Sequence, residues 1–260
     1  MTIEVSEGKP FDSIIADVIA RGVRVFKQTL DPVVFDYFLR YDYESWRPPL
    51  VRRQWIATHV GVGEFLDIGC GAYPVTADVP GGQQRGVGID VTPQAALRYR
   101  DHFAEFYLMG IDRVQPTEIP ELLNRFETVV LSETLEHFHK PSLVLEQIKR
   151  FMKSEGTLLI TYPNAFSIAQ RFDYISHGGR WQRFRDFHRS HVFLTSKTRL
   201  EALFRTVGFS VIEFDFRPSS LIGLFPPETS RLWKSITRHW PSLFGHQFFY
   251  VLRLTNKKTT

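Results

Sequence analysis

The chain has 260 residues, 43% hydrophobic and 23% charged, which suits one α/β domain with insertions or a domain plus a small cap. Its 32 basic and 28 acidic side chains leave a formal charge of +4, which permits a phosphate-bearing or membrane-surface partner without demanding one. The lone cysteine, Cys70, excludes an internal disulfide, and no secretory signal or apolar run near the ~20 residues of a membrane helix is visible, so the expected compartment is a reducing cytoplasm.

Residues 1–10 read as a loose start, and residues 1–60 together as an N-terminal helical cap. FDSIIADVIARGVRVF has apolar residues at helical spacing, DPVVFDYFLRYDY follows Asp31-Pro32, and RPPLVRRQWIATHV leads into the next element. The pattern then changes, and residues 61–260 read as one α/β domain. EFLDIGCG, Glu64 to Gly71, is a short apolar run ending in glycine and predicts a buried strand. QRGVGIDVTP predicts a second strand closing on Asp90, with Thr92 as cap and Pro93 in the first turn of a helix. AEFYLMG and RFETVVLSE predict the third and fourth strands. PSLVLEQIKRFMKSEG predicts an amphipathic helix ending in glycine, and TLLITYP a fifth strand. After a long polar and aromatic segment, TSKTRLEALFRTVGF predicts a helix, and FSVIEFDF and HQFFYVLRL two further strands. Alternating strands and helices predict a doubly wound, mostly parallel sheet whose ligands sit at the strands' C-terminal ends.

FLDIGCGAYP carries the most chemistry. Asp67 lies on the strand, and Gly69 and Gly71 at its end let backbone approach a ligand closely. Asp90, at the end of the next strand, has the spacing expected of a carboxylate that holds ribose hydroxyls. An adenosine-containing cofactor follows. The third glycine of a dinucleotide fingerprint is missing, because Pro74 occupies its place, so no pyrophosphate cradle is evident.

These stretches resemble the class I S-adenosylmethionine-dependent methyltransferases. LDIGCG matches their first motif, GVGIDVTP their second, and FETVVLSETLEHFHKP their fourth-strand motif. LLITYPN, followed by H-x-F-x-[TS] and GF, is similar to the downstream pattern of one large subgroup. The resemblance implies an α/β, Rossmann-like, doubly wound sheet of seven strands, mostly parallel with the last antiparallel. N-terminal helices and a lid-like insertion after the fifth strand, about residues 164–194, complete the expected fold. S-adenosylmethionine is the implied cofactor. Asp67 and the Gly69–Gly71 backbone would hold its methionine end, Asp90 the ribose and Asp112 the adenine amino group. Cys70, Val91 and Ser132 complete the implied cofactor set. AYPVTADVPGG departs from the family, since Pro74, Pro80 and Gly81-Gly82 require a short or irregular helix there.

SETLEHFHKP places Glu133, Glu136 and His137 at i, i+3 and i+4, one face if the turn is helical. The full E-x-x-E-H form resembles the ubiquinone-biosynthesis O-methyltransferases and the small-RNA 2′-O-methyltransferases, two metal-dependent groups that use a further histidine downstream. HRSHVFLTS offers His188 and His191, of which His191 fits better. Three readings are open. Glu133, Glu136, His137 and His191 would hold Mg²⁺, Mn²⁺ or Zn²⁺, which activates a substrate hydroxyl. Alternatively His137 or His191, with Glu136, forms a metal-free catalytic group with a histidine as general base. In the third reading the turn is structural.

The insertion AFSIAQRFDYISHGGRWQRFRDFHRSH interleaves Arg171, Arg180, Arg183, Arg185 and Arg189 with aromatic residues. Arginines suit phosphate or carboxylate, and aromatics stack on sugars or bases, so the segment reads as a cover over the cofactor cleft that grips substrate. Its alternative is a surface subdomain that buries the rings and solvates the cations. The expected reaction is O-methylation of a small molecule, sugar or lipid-linked precursor. RNA 2′-O-methylation is the rival, with no accessory RNA-binding motif to favour it. A non-catalytic scaffold with a degenerate cofactor site is a third reading. The C-terminal stretch SSLIGLFPPETSRLWKSITRHWPSLFGHQFF is open to roles as a substrate cap, a membrane-surface patch or a dimer contact.

Overall fold

The structure is a computed structural model that describes residues 11–31, 47–71, 73–178, 191–218, 235 and 237–255. Its strands are β1 (Arg24–Val25), β2 (Phe65–Ile68), β3 (Gly86–Asp90), β4 (Glu105–Leu108), β5 (Phe126–Ser132), β6 (Met152–Pro163), β7 (Phe209–Pro218) and β8 (Gly245–Leu254). Their order in the sheet is β1-β4-β3-β2-β5-β6-β8-β7. The chain divides into two compact units, Met1–Ser132 with Gln147–Leu159 and Glu133–Glu146 with Ile160–Thr260.

In the first unit, β2, β3, β4 and β5 are parallel and closely registered. Ile68 pairs with Ile89 and with Leu131, and Asp90 pairs with Leu108. Every residue of β2 and β3 is buried, as expected of parallel strands covered on both faces. The register brings the C-terminal ends of four strands to one edge.

Helix α1 (Phe11–Ala20) buries Ile14, Ile15 and Val18 and stops at Ala20, two residues before Gly22, whose φ of +72° reverses the chain. The helical spacing of FDSIIADVIARGVRVF therefore overruns the helix. Residues 24–25 instead form β1, parallel to β4, an eighth strand beyond the seven expected. DPVVFDYFLRYDY falls almost entirely outside the described residues. Helix α2 (Leu50–His59) follows, and the connection after β2 is a 3-10 turn, Val75–Asp78, then the four-residue helix α3 (Gly82–Arg85). This is the irregularity that Pro74, Pro80 and the glycine pair require. Helix α4 (Pro93–Tyr99) begins at Pro93, but Thr92 makes no side-chain cap.

Helix α5 (Pro141–Phe151) starts with proline at its first position and buries Val144, Leu145, Ile148 and Phe151, the i, i+1, i+4, i+7 face of its amphipathic pattern. It ends at Phe151, not at Gly156, because MKSEG is already the first part of β6.

In the second unit, helices α6 (Ile168–Ser176) and α7 (Lys197–Thr206) are capped by Ser167 and Ser196, which accept from the amides of Gln170 and Arg199. Strands β7 and β8 pair antiparallel, from Phe209 opposite Leu254 to Pro218 opposite Gly245. This is the partner expected for HQFFYVLRL. Phe204 and Tyr250 meet edge to face at 5.3 Å, and Phe214 lies 5.0 Å from Tyr250. The short helix α8 (Pro241–Phe244) precedes β8 and packs against α6.

Candidate functional site

The first unit gathers the strand-end residues. Gly69 and Gly71 have φ of +69° and +66°, the left-handed region that glycine enters without cost. The space beside the Gly71 Cα is open, with nothing within 4 Å of where a Cβ would stand. The Gly71 amide donates to Asp90 Oδ2 and the Thr92 amide to Asp90 Oδ1, both at 2.7 Å. Asp90 thus clamps the loop after β2 to the end of its own strand. Burial raises its pKa, and the hydrogen bonds from Thr92 and Gly71 offset part of that rise.

Asp67 lies deeper. The Thr76 hydroxyl donates to Asp67 Oδ2 at 2.6 Å, while Oδ1 is buried without a hydrogen bond. Burial pushes the carboxyl up to about 7; the Thr76 hydrogen bond opposes that rise, and the neighbouring Asp90 adds to it. Cys70 is buried, and its thiol is pushed well above the ordinary range by desolvation and then by the two aspartates. Asp112 lies in a 3-10 turn, Ile111–Arg113, beyond β4, and is exposed. Val91 follows Asp90 directly, and Ser132 closes β5; both are half-buried.

Sequence reasoning missed the basic and aromatic groups beside this loop. The Arg53 guanidinium lies 5.5 Å from the Tyr73 ring centre and donates to Asp78 Oδ2 at 2.6 Å. Arg47 lies over the same ring, and Tyr73 meets Tyr99 edge to face. Arg52, on α2, is buried. The one available signal was the Arg52-Arg53 pair, of which Arg52 is buried and Arg53 takes up Asp78.

The second unit holds the Glu-His turn. It is a 3-10 helix, Leu135–His137, not an α-helical turn, and Glu133 precedes it with φ of +51°. A left-handed backbone costs a non-glycine residue about 1–2 kcal/mol. The i, i+3, i+4 face expected of an α-helix therefore does not form. Glu133 Oε1 instead accepts from Gln247 Nε2 at 2.8 Å and from the Thr161 hydroxyl at 3.3 Å.

Glu136, His137 and His191 do come together: one ligand atom from each lies within 4.8 Å of the others. The rings of His137 and His191 are 4.6 Å apart, and His191 Nε2 is 3.8 Å from Glu136 Oε1. The convergence is built by backbone. The Glu136 carbonyl accepts from the amides of both Val192 and Phe193 at 2.9 Å, fastening the returning segment to the turn. The Phe193 carbonyl in turn accepts from the Tyr162 hydroxyl. Burial, and then Glu136 and Glu133, raise the Tyr162 phenol well above its ordinary pKa, so it remains a donor. Glu136 is wholly buried, His191 half-buried and His137 exposed. His188 and Arg180–Arg189 lie outside the described residues.

A family model described as a methyltransferase domain matches residues 35–213. The chain belongs to the methyltransferase-domain family. No curated protein matches it. Solved structures supply the fold. A SAM-dependent methyltransferase from Archaeoglobus fulgidus is 16% identical, with a TM-score of 0.54 over 78% of this chain and 90% of its own. The Burkholderia thailandensis 1,6-didemethyltoxoflavin-N1-methyltransferase, bound to 1,6-didemethyltoxoflavin and S-adenosylhomocysteine, is 15% identical. It covers 98% of this chain and 94% of its own, with a TM-score of 0.54. The [4+2]-cyclase SpnF, 15% identical, covers 78% of this chain and 80% of its own at a TM-score of 0.50. The fold is that of the SAM-dependent methyltransferases, and S-adenosylmethionine is the cofactor of the family. Among the described residues, no helix is long and apolar enough to cross a membrane.

Proposed function

We propose that this methyltransferase moves the methyl group of S-adenosylmethionine to a hydroxyl on a small molecule, sugar or lipid-linked precursor, with the Glu136–His137–His191 cluster handling the hydroxyl proton. The observation that carries the reading is the clasp of Val192 and Phe193 on the Glu136 carbonyl, which fixes two imidazoles beside a buried carboxylate. Two imidazoles and a carboxylate suit either a proton relay or a divalent cation of the Zn²⁺ or Mn²⁺ type.

On the cofactor side, the open space at Gly71 and the unbonded Oδ1 of Asp67 fit a ligand that brings close contact and positive charge. Asp67, Gly69, Cys70 and Gly71 would hold the methionine end, Asp90 and Val91 the ribose and Asp112 the adenine amino group, with Ser132 completing the set. The bound cofactor supplies a methyl group on a cationic sulphur, which needs in-line approach and no protein nucleophile. Around it the chain orders the loop, excludes water and keeps Asp67 within reach of a cation.

At the Glu-His cluster, a neutral His137 or His191 accepts the proton of a substrate hydroxyl at a ring nitrogen. Glu136 lies near enough to favour the imidazolium that results. A divalent cation held by Glu136, His137 and His191 would lower the pKa of a bound hydroxyl. Glu133 is engaged by Gln247 and Thr161 and would act through them.

A nitrogen acceptor is the second reading, favoured by the fold shared with the N1-methyltransferase. An RNA hydroxyl and a non-catalytic scaffold rank below both. A reducing compartment agrees with the single buried thiol.

The test is methyl transfer from labelled cofactor to a panel of hydroxyl and amine acceptors, in chelator and after adding metal back. Transfer to hydroxyls that is lost in His191→Ala supports the reading. Transfer to amines alone, unchanged in His191→Ala, overturns it. Full activity in excess chelator assigns the cluster to proton transfer without metal.

A further inference from the structure

Helix α6 presents an apolar face to solvent. Ile168, Phe172 and Ile175 fall at i, i+4 and i+7 and so share one side of the helix. Phe172 is 61% exposed and Ile175 73% exposed, large values for side chains that folding normally buries. Trp240, which immediately precedes α8, is 58% exposed, and α8 packs against α6. Singly exposed apolar residues need no explanation, whereas a row of them with a tryptophan beside it does.

Within residues 164–178 and 237–246 the exposed formal charges are both positive. They are Arg171 and Arg238; the exposed His177, His239 and His246 add polar rings. The one carboxylate among residues 164–178 and 237–246 is Asp173, whose side chain is only 11% exposed and lies 3.6 Å from His177 Nδ1.

We infer that the α6 face, with Trp240 and Arg238, docks the protein onto an anionic lipid surface. Apolar side chains on one helix face, a tryptophan at the margin and exposed arginines beside them are the features of an interfacial helix. A second copy of the chain fits less well, because a two-fold contact through this patch would bring Arg171 and Arg238 near their own counterparts without a carboxylate to separate them. The surface is a helix face and not a cleft, so it does not suit a small apolar ligand. One nine-residue helix buries little area, so the attachment is reversible and depends on charge as well as apolar insertion. The inference stands apart from the chemistry of methyl transfer.

The experiment is flotation of the full chain with mixed phosphatidylglycerol–phosphatidylcholine vesicles and with phosphatidylcholine alone. The chain should float with the anionic vesicles only. Phe172→Ser combined with Ile175→Ser should lower the partition at least about tenfold. Arg238→Glu should lower it roughly fivefold or more, and added salt should do the same. Val62→Ser, an exposed apolar residue of the first unit, should change nothing. Circular dichroism checks that each variant folds; if the double variant does not, Arg238→Glu and the salt series carry the test. Equal partition to both vesicle types, or none to either, overturns the inference. So does a dimer in light scattering that Phe172→Ser dissolves.

Discussion

The strand-end loop of the first unit and the Glu-His turn of the second are built by different means. The loop is a product of register: β2, β3, β4 and β5 run parallel, so their last residues reach one edge together, and Asp90 needs only to accept two amides to fix the glycine loop. The turn is a product of return: residues 191–193 come back from far along the chain and are tied on by two hydrogen bonds to one carbonyl. A site made by register rests on strand pairing together with one buried carboxylate, so it is sensitive to burial and charge. A site made by return depends on a few polar groups, each of which costs much to lose.

The widest separation between the two regions should come from variants in the turn. Glu136→Gln and His191→Ala are expected to lower turnover by about 10²–10⁴-fold, the usual range for a general acid–base group, with cofactor affinity within about threefold of the parent. Single-turnover methyl transfer beside calorimetry of cofactor binding reads both. A matching loss of cofactor affinity would mean that the two regions do not divide the work.

The converse variant lies in the loop. Asp90→Ala should weaken S-adenosylhomocysteine binding by roughly 10–100-fold, the loss of hydrogen bonds to a carboxylate, and should lower the melting temperature because the Gly71 and Thr92 amides lose their acceptor. Titration calorimetry and a thermal scan measure this pair of effects. An unchanged affinity would discard the ribose assignment.

Asp67 adds a dependence on pH. Its folded pKa of about 7 is raised from 3.8, so between those values the folded state keeps a proton that the unfolded chain has released. Its contribution to stability is present below about pH 4 and is lost as pH rises through about 7. Denaturant midpoints of the parent and Asp67→Asn across that window should diverge, with the variant flatter. Cofactor binding should show the opposite trend and tighten as pH rises, because a cationic ligand prefers the ionised carboxylate.

The smallest expected effect separates two glutamates that the sequence makes look equivalent. Glu133→Gln keeps an oxygen to accept from Gln247 and Thr161, so activity should fall by no more than about threefold, and Gln247→Leu should cost about 1–3 kcal/mol of stability. A Glu133→Gln variant as inactive as Glu136→Gln would return Glu133 to the proposed metal set.

The parallel core was legible because short apolar runs ending in glycine or aspartate have few other uses, and β2, β3 and β5 lie where FLDIGCG, GVGID and FETVVLSE place them. The extra strand Arg24–Val25 was not, since two residues carry no periodicity. Nor was the end of α5, where β6 follows Phe151 without a loop. At the turn, the motif and its resemblance led to an expected meeting of Glu133, Glu136, His137 and His191, of which the last three come together. Spacing alone could not show that the backbone at Glu133 would turn left-handed and send its carboxylate to Gln247. Thr92 also misled: its side chain does not cap the helix, and its amide serves Asp90 instead.

The lone thiol of Cys70 sits inside the glycine loop, buried, with its proton held tightly by its surroundings. A cysteine in that condition does not react with disulfide reagents while the loop is closed, because only the exposed thiolate attacks. Every labelling event must then wait for the loop to open. The protein therefore carries a native clock for the breathing of its glycine loop, read by one chemical modification per molecule, with no background from a second sulphydryl.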